Sequence, residues 1–392
     1  MLKGSSHMIG AFFRQRGIPM IYLDYAANTP VNSEVLESFC EENRLFYGNP
    51  NSTHKLGQAA KQHMDEITTN IANLLEVKPS EIIYTSGSSE SNNLAIKGVA
   101  YTYRNRGKHI ISTCLEHSSV SGALTALMSQ GYEIDLVDIL PNGQVDINHL
   151  AELIRNDTIL VSICYVDSEL GVLQPIEEIA KLIKANPNCY LHVDATQAVG
   201  KIKLEIENID LLSFTPHKFY GINGCGILIR KENVVLEPLI HGGASTTIYR
   251  SGTPALGLAA SIYTALKIVY ESLDKNYYYV EQINQHIKVQ FLKYPLVRIN
   301  STEKSIPHIL NLSVKGVKGT VFQHELSDRD ICVSVKSACS VTATMSRPVY
   351  AVSKDKKNAM CSWRISLSYL TTNEEVDTFI KIFDECYKKV TL

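Results

Sequence analysis

The chain has 392 residues, 45% of them hydrophobic and 20% charged, with a formal net charge of -2. That balance supplies a full core and excludes a disordered chain. With no sustained basic run it offers nothing to nucleic acid or an anionic membrane, and no apolar run approaches the roughly 18 residues of a membrane helix.

The length suits one large domain plus a smaller one. The nine cysteines (Cys40, Cys114, Cys164, Cys189, Cys225, Cys332, Cys339, Cys361 and Cys386) are scattered, odd in number and free of any C-x-x-C pair. Free thiols in a reducing cytoplasm are the expectation. Met1 to Met8, with Gly4-Ser5-Ser6-His7, reads as an expression remnant.

Tyr22 to Pro30 predicts a short strand running into a turn, and Phe46 to Ser52 a loop rich in turn formers. Leu56 to Leu75 has the apolar spacing of an amphipathic helix. Strands and helices then alternate. Strands are expected at 81–85, 109–113, 133–138, 159–165 and 190–194, with helices at 91–101, 119–130 and 176–184. The pattern predicts an α/β fold, a mostly parallel sheet covered by helices, with ligands at the carboxyl ends of the strands. Ile209 to Phe214 and Gly226 to Ile229 read as two further buried strands. After Gly257 a long helical stretch, 259–292, leads to a smaller α+β unit. Its strands are expected at 309–314, 331–335 and 363–367, and its helices at 320–326 and 372–388. The division expected is residues 1–20 as remnant and N-terminal extension, 21–265 as the large domain and 266–392 as the small one.

The chemistry-bearing residues fall just after strands. Lys218 sits in the turn between the strands at 209–214 and 226–229. A lone loop lysine is most simply a surface residue. A lysine fenced by apolar strands can instead be a neutral amine nucleophile, whose common use is a Schiff base with pyridoxal phosphate. Thr85 to Asn93 follows a strand and opens a helix rich in serine. It is a phosphate cup on free N–H groups, or an ordinary serine cap with Glu90 in its first turn. Asp194 ends a strand and needs a cationic partner, which a pyridinium nitrogen supplies; the simpler role is a helix cap. His117 either stacks on a cofactor ring or is a satisfied loop histidine.

These residues stand in segments that resemble the cysteine desulfurases, pyridoxal phosphate enzymes of the class V aminotransferase group with fold type I. The resemblance runs from about Ile21 to the C-terminus. It is carried by YLDYAANTP, YGNPNSTH, YTSGSSESNNLAIKG, EH at 116–117, ELGVLQPI, HVDATQAVGK, SFTPHKFYG, HGG, RSGT, SACS and WRISLS. It implies a large domain with a mostly parallel seven-stranded sheet plus a smaller α+β domain. It implies that Lys218 binds the cofactor aldehyde and later moves the substrate Cα proton. Asp194 would pair with the pyridine nitrogen, His117 stack on the ring and Gln197 bond its phenolic oxygen. Ser88, Ser89, Thr215 and His217 would hold the phosphate, with Thr253 reaching it from the other subunit of a homodimer. Asn28 and Arg364 would bind substrate, Arg364 clamping its carboxylate. Cys339 would take the sulfur of L-cysteine as a persulfide, leaving L-alanine, and pass it to an acceptor protein such as an iron–sulfur scaffold.

Small polar neighbours, and the lack of strong periodicity from Cys339 to Asn358, predict an exposed mobile loop around that thiol. Cys114, Cys164 and Cys225 lie in apolar runs and read as inert.

Four positions depart from the family pattern. Asp167 stands where asparagine is usual, close to an anionic phenolic oxygen. Val335-Lys336 replaces a glycine before the cysteine loop, Ala244 to Thr247 replaces Gly-Gln-Glu-Arg, and Ser368-Tyr369 replaces Gly-Arg. They leave two alternatives beside cysteine desulfuration: a related lyase or aminotransferase on another amino acid or selenocysteine, and a regulatory homologue with little turnover.

Overall fold

The computed structural model describes residues 20–335 and 345–391. The chain opens with β1 (Ile21–Tyr22), α1 (Ser33–Leu45) and α2 (Lys55–Leu74). Then come β2 (Ile82–Thr85), α3 (Ser88–Thr102), β3 (His109–Ser112), α4 (Ser118–Met128), β4 (Glu133–Leu136) and α5 (Ile147–Leu153). β5 (Thr158–Cys164), α6 (Ile176–Lys184), β6 (Tyr190–Asp194), β7 (Leu211–Phe214) and β8 (Gly226–Arg230) follow. The rest is α7 (Leu256–Glu271), α8 (Leu273–Phe291), β9 (Val297–Ile299), β10 (Ile309–Val314), α9 (Gly319–Ser327) and β11 (Ile331–Cys332). It ends with α10 (Arg347–Ser353), α11 (Lys356–Cys361), β12 (Ser362–Ser366) and α12 (Asn373–Thr391).

The expected α/β architecture is what these elements build. Seven strands form one sheet in the order β2-β8-β7-β6-β5-β3-β4. Only β8 runs against the others, pairing antiparallel with both β2 and β7. β5 shows why: all seven of its residues are buried, as a strand covered on both faces requires. Each buried Ile, Leu or Val there contributes about 1.5–3 kcal/mol. The carboxyl ends of β2, β3, β5, β6 and β7 therefore meet at one edge of the sheet, and β8 begins there.

A second core is built on β9-β10-β12, antiparallel throughout, with Phe291, Phe322, Trp363, Phe379 and Phe383 at its centre. Ile21 and Leu23 belong to this core, because β1 pairs in parallel with β11.

Three local expectations are corrected. The helical stretch 259–292 is two helices, broken at Ser272, whose φ of -121° leaves the helical range. α7 packs on the first core and α8 on the second, so the chain must change direction between them. Residues 346–361 are no exposed loop. Ser346 caps α10 by accepting from Val349 N–H, Asp355 caps α11, and Pro348, Val349 and Ala359 are buried. Helices of six and seven residues are too short to display a 3.6-residue period. The strand expected to reach Val335 ends at Cys332, and Ser334 instead bridges Arg364 on β12.

Candidate active site

The site is built where strand ends, a helix start and an N-terminal turn converge. Ser86 and Gly87 join β2 to α3. Gly87 has a φ of +148°, which other residues rarely adopt. A Cβ on Gly226 would lie 2.7 Å from the Gly87 Cα, so both glycines are needed for β8 to pass beneath this turn. The resulting cleft, about 380 Å³, is lined by Asn28, Ser88, Ser89, Thr215 and His217 together with Glu90. Of the residues named from sequence, these five are brought together as expected neighbours. The helix start exposes N–H groups, and the partial positive charge there favours an anion. Thr215 Oγ1 donates to Cys225 O at 2.8 Å and lies 2.9 Å from His217 Nδ1. Burial, then the nearby Lys218 and Lys201 charges, pushes His217 down to about 4, so it is a neutral hydrogen-bonding ring. Glu90 does not compete for the anion. It is tied to Arg250 Nε at 3.0 Å and to Ser86 N at 2.7 Å.

Lys218 ends a single turn, Pro216–Lys218, between β7 and β8. It is half-buried, and its Nζ donates to Ala27 O at 2.5 Å. β6 and β7 pair in parallel with Asp194 opposite Ser213, which sets Asp194 on the strand next to the one that leads to Lys218. Asp194 is buried. Its Oδ2 accepts from Asn92 Nδ2 at 2.8 Å and its Oδ1 from Thr196 N–H at 3.0 Å. Asn92 also donates to Ser119 Oγ at 2.9 Å, and that hydroxyl lies 2.8 Å from His117 Nδ1. His117 and Asp194 thus share one network. Ser119 N–H points at His117 Nδ1 from 3.2 Å, so Nδ1 is the acceptor and a neutral ring carries its proton on Nε2. Burial lowers the His117 pKa.

The turn at 24–29 holds several of these groups at once. Ala26 O accepts from Gln197 Nε2 at 2.9 Å, and Thr29 N–H and Oγ1 both donate to His217 O. Asp24 Oδ1 pairs with Arg364 Nη2 at 2.9 Å, and Arg364 Nη1 donates to Ser168 O at 2.6 Å. Asp167 is fully buried. Its carboxyl accepts from Leu170 N–H at 2.5 Å and Glu169 N–H at 3.3 Å, pinning the turn after Val166. Burial first, then the Glu169 charge, raises its pKa from 3.8 to about 7. The unusual Ser368-Tyr369 pair packs on Tyr220, with Ser368 Oγ 2.6 Å from its hydroxyl and the tyrosine rings 4.7 Å apart. Thr253 is exposed and does not line this cleft. Cys339 lies outside the described residues.

Five residues of the site went unassigned from sequence: Asp24, Asn92, Glu116, Ser119 and Lys201. Each except Ser119 lies inside a segment that carried the resemblance, and only their contacts reveal their tasks. Glu116 Oε1 accepts from Thr113 Oγ1 and from Cys164 N–H, tying the ends of β3 and β5 together. Burial pushes it up to about 8.

The donor set fits pyridoxal phosphate: an anion cup at a helix start, an amine, and a buried carboxylate with neutral polar neighbours. Fold and site define an enzyme of the class V aminotransferase kind. The Aminotransferase class-V family model matches residues 21–379. A NifS/IcsS protein homolog of Lactobacillus delbrueckii subsp. bulgaricus is 36% identical, the match covering 94% of this chain and 97% of that protein. Cysteine desulfurase IscS of Pseudoalteromonas translucida is 36% identical over 92% of this chain and 91% of its own. A solved NifS-like protein superposes with a TM-score of 0.87 at 34% identity, covering 93% of this chain and 98% of that one. A second structure, SspA in complex with cysteine, gives 0.77 at 31% identity, covering 88% and 98%. The chain belongs to the class V aminotransferase family, and within it to the cysteine desulfurases.

Proposed function

We propose that this chain is a pyridoxal phosphate-dependent cysteine desulfurase that converts L-cysteine to L-alanine and carries the sulfur on Cys339. The observation that supports it most is Lys218, half-buried between β7 and β8 beside the strand that ends in Asp194 and next in sequence to His217, which lines the cup at the start of α3. Bound pyridoxal phosphate supplies a ring that withdraws electrons from the substrate Cα. Ser88, Ser89, Thr215 and His217 hold its phosphate, Asp194 its ring nitrogen, and His117 its face, with Gln197 and Asp167 near the phenolic oxygen. Lys218 Nζ holds and moves the Cα proton. Arg364 binds the substrate carboxylate through a planar fork, with Asn28 at the mouth of the cleft. The Cys339 thiolate attacks the substrate sulfur; an S–S bond forms as the C–S bond breaks, and protonation of the carbon releases alanine.

The reading includes a homodimer in which Thr253 serves the partner's cup, a reducing cytoplasmic setting and a sulfur-acceptor protein. Support for a covered face comes from exposed apolar residues on two loops that meet. Tyr47 is 76% and Ile248 70% exposed, and Asn51 Nδ2 lies 3.3 Å from Ser245 Oγ. The cysteines of the described residues are free thiols, and among those residues no helix is long and apolar enough to cross a membrane.

The test is incubation of the purified, cofactor-loaded protein with L-cysteine, assaying alanine and protein-bound persulfide together. Equal yields of both in one turnover support the reading, and C339A should form neither. Alanine formation at the normal rate by C339A, or keto-acid products from cysteine, refutes it.

A further inference from the structure

Lys201 is the charged group that the chemistry above leaves without a task. It is 8% exposed, and among the described residues no carboxylate lies within ion-pair distance of it. A buried ammonium is ordinarily paired, so an unpaired one calls for an explanation. It sits where cations already crowd: Lys218 and Arg364 both act on it, and burial, the largest cause, drives its pKa well below the ordinary lysine value.

The local backbone forces this placement. Residues 195–202 close a helical turn through Val199 N–H to Ala195 O and Ile202 N–H to Ala198 O. Gln197 lies in the turn closed by the first of these bonds and Lys201 in that closed by the second, on either side of Gly200. Gly200, at a φ of +73°, lets the turn press on the segment that carries Lys218; a Cβ there would lie 2.8 Å from the Phe219 Cβ. Lys201 Nζ consequently reaches Gln197 Oε1 at 2.7 Å, while Gln197 Nε2 donates to Ala26 O at 2.9 Å.

An amide side chain can present either its oxygen or its nitrogen, and only its partners decide which. Lysine is donor-only when charged and still a donor when neutral, so in either state it selects the oxygen. The Gln197 amide is held from both ends. One Nε2 proton goes to Ala26 O, and the amide nitrogen carries a second.

We propose that Lys201 is a positioning residue that fixes the Gln197 amide so that the site is offered an N–H donor and never a carbonyl oxygen. The proposal rests on the reading that Gln197 faces the phenolic oxygen of pyridoxal phosphate. A donor there stabilises the negative charge on that oxygen and weakens its hold on the neighbouring proton. Losing the donor then raises the pH midpoint of the cofactor's visible absorption band.

The experiment is a double-mutant cycle on the cofactor-loaded protein, reading that midpoint for the parent, K201M, Q197L and K201M/Q197L. Methionine keeps the stem and removes the polar head, and K201L is the second variant for the same cycle; the melting temperature of each without cofactor is read beside the midpoint, so that a loss of folding is seen as such. K201M and Q197L should each move the midpoint upward by about one half to one pH unit, the double variant no further than either alone. Additive shifts would mean that Lys201 acts as an independent charge, which overturns the proposal. A shift in Q197L with none in K201M also overturns it, leaving the Gln197 reading intact. A silent Q197L removes the Gln197 reading itself.

Discussion

Arg364 Nη2 lies 2.9 Å from Asp24 Oδ1 across 340 residues of sequence, and the guanidinium is 1% exposed. The other Asp24 oxygen accepts from Ser334 Oγ at 2.8 Å, so strand β12, the turn after β1 and the residues following β11 meet at one half-buried carboxylate. Asp24 holds a cation in place before any substrate arrives.

Removing either partner should therefore have separable effects. D24N leaves a buried guanidinium without its counter-charge and should lose about 3 kcal/mol of stability, measured by urea unfolding. R364K keeps a charge but loses the planar fork. Its kcat/KM for L-cysteine should fall about 100-fold, the loss of one bond to a charged group.

Lys218 tests the site more directly. K218A removes the amine and its bond to Ala27 O from a half-buried turn. The variant should stay within about 1 kcal/mol of the parent in stability. It should lose the visible absorption of the parent on mixing with pyridoxal phosphate and all alanine production from cysteine.

The two buried acids predict an unusual pH dependence. Asp167 holds its proton to about 7 against an ordinary value of 3.8, and Glu116 to about 8 against 4.5. Between those limits the unfolded chain has lost protons that the folded chain keeps, so stability falls as pH rises through that window. D167N and E116Q remove the titrating groups and should flatten the slope between about pH 4 and 8, measured by urea unfolding at several pH values. At pH 5, where the parent acids are already neutral, E116Q should be close to the parent because its amide oxygen can still accept from Thr113 and Cys164. A parent whose stability climbs steadily from pH 5 to 8 would contradict this.

Thiol labelling should separate the cysteines. Burial pushes Cys189 and Cys225 up to about 12 and Cys164 well above its ordinary value. At pH 7.5 these three should resist alkylation in the folded protein, because the thiolate is the reacting form. Cys339 should label first, and prior incubation with L-cysteine should leave its labelled peptide heavier by one sulfur atom, because a persulfide is alkylated on its outer sulfur. Mass mapping of the labelled peptides reads both.

The α/β alternation, the mostly parallel sheet and the segments that carry the chemistry were legible in the sequence because each rests on a local signal, while the count of seven strands came from the resemblance. β5 is a continuous apolar run, α6 has a full amphipathic period, and glycines and serines mark the turn before α3. Short elements were not legible: α10 and α11 are fixed by caps and by burial against Leu170 and Val172, not by period. Lys218, Asp194 and His117 could be singled out as candidates because each follows a strand legible in the sequence, whereas Arg364, in the middle of β12, was offered by the resemblance alone. What only the tertiary structure decided is which partner each one faces. Asp24 meets Arg364, Asn92 joins His117 to Asp194, and Lys201 turns the Gln197 amide, because these pairs come together through strand register and packing that no local pattern encodes.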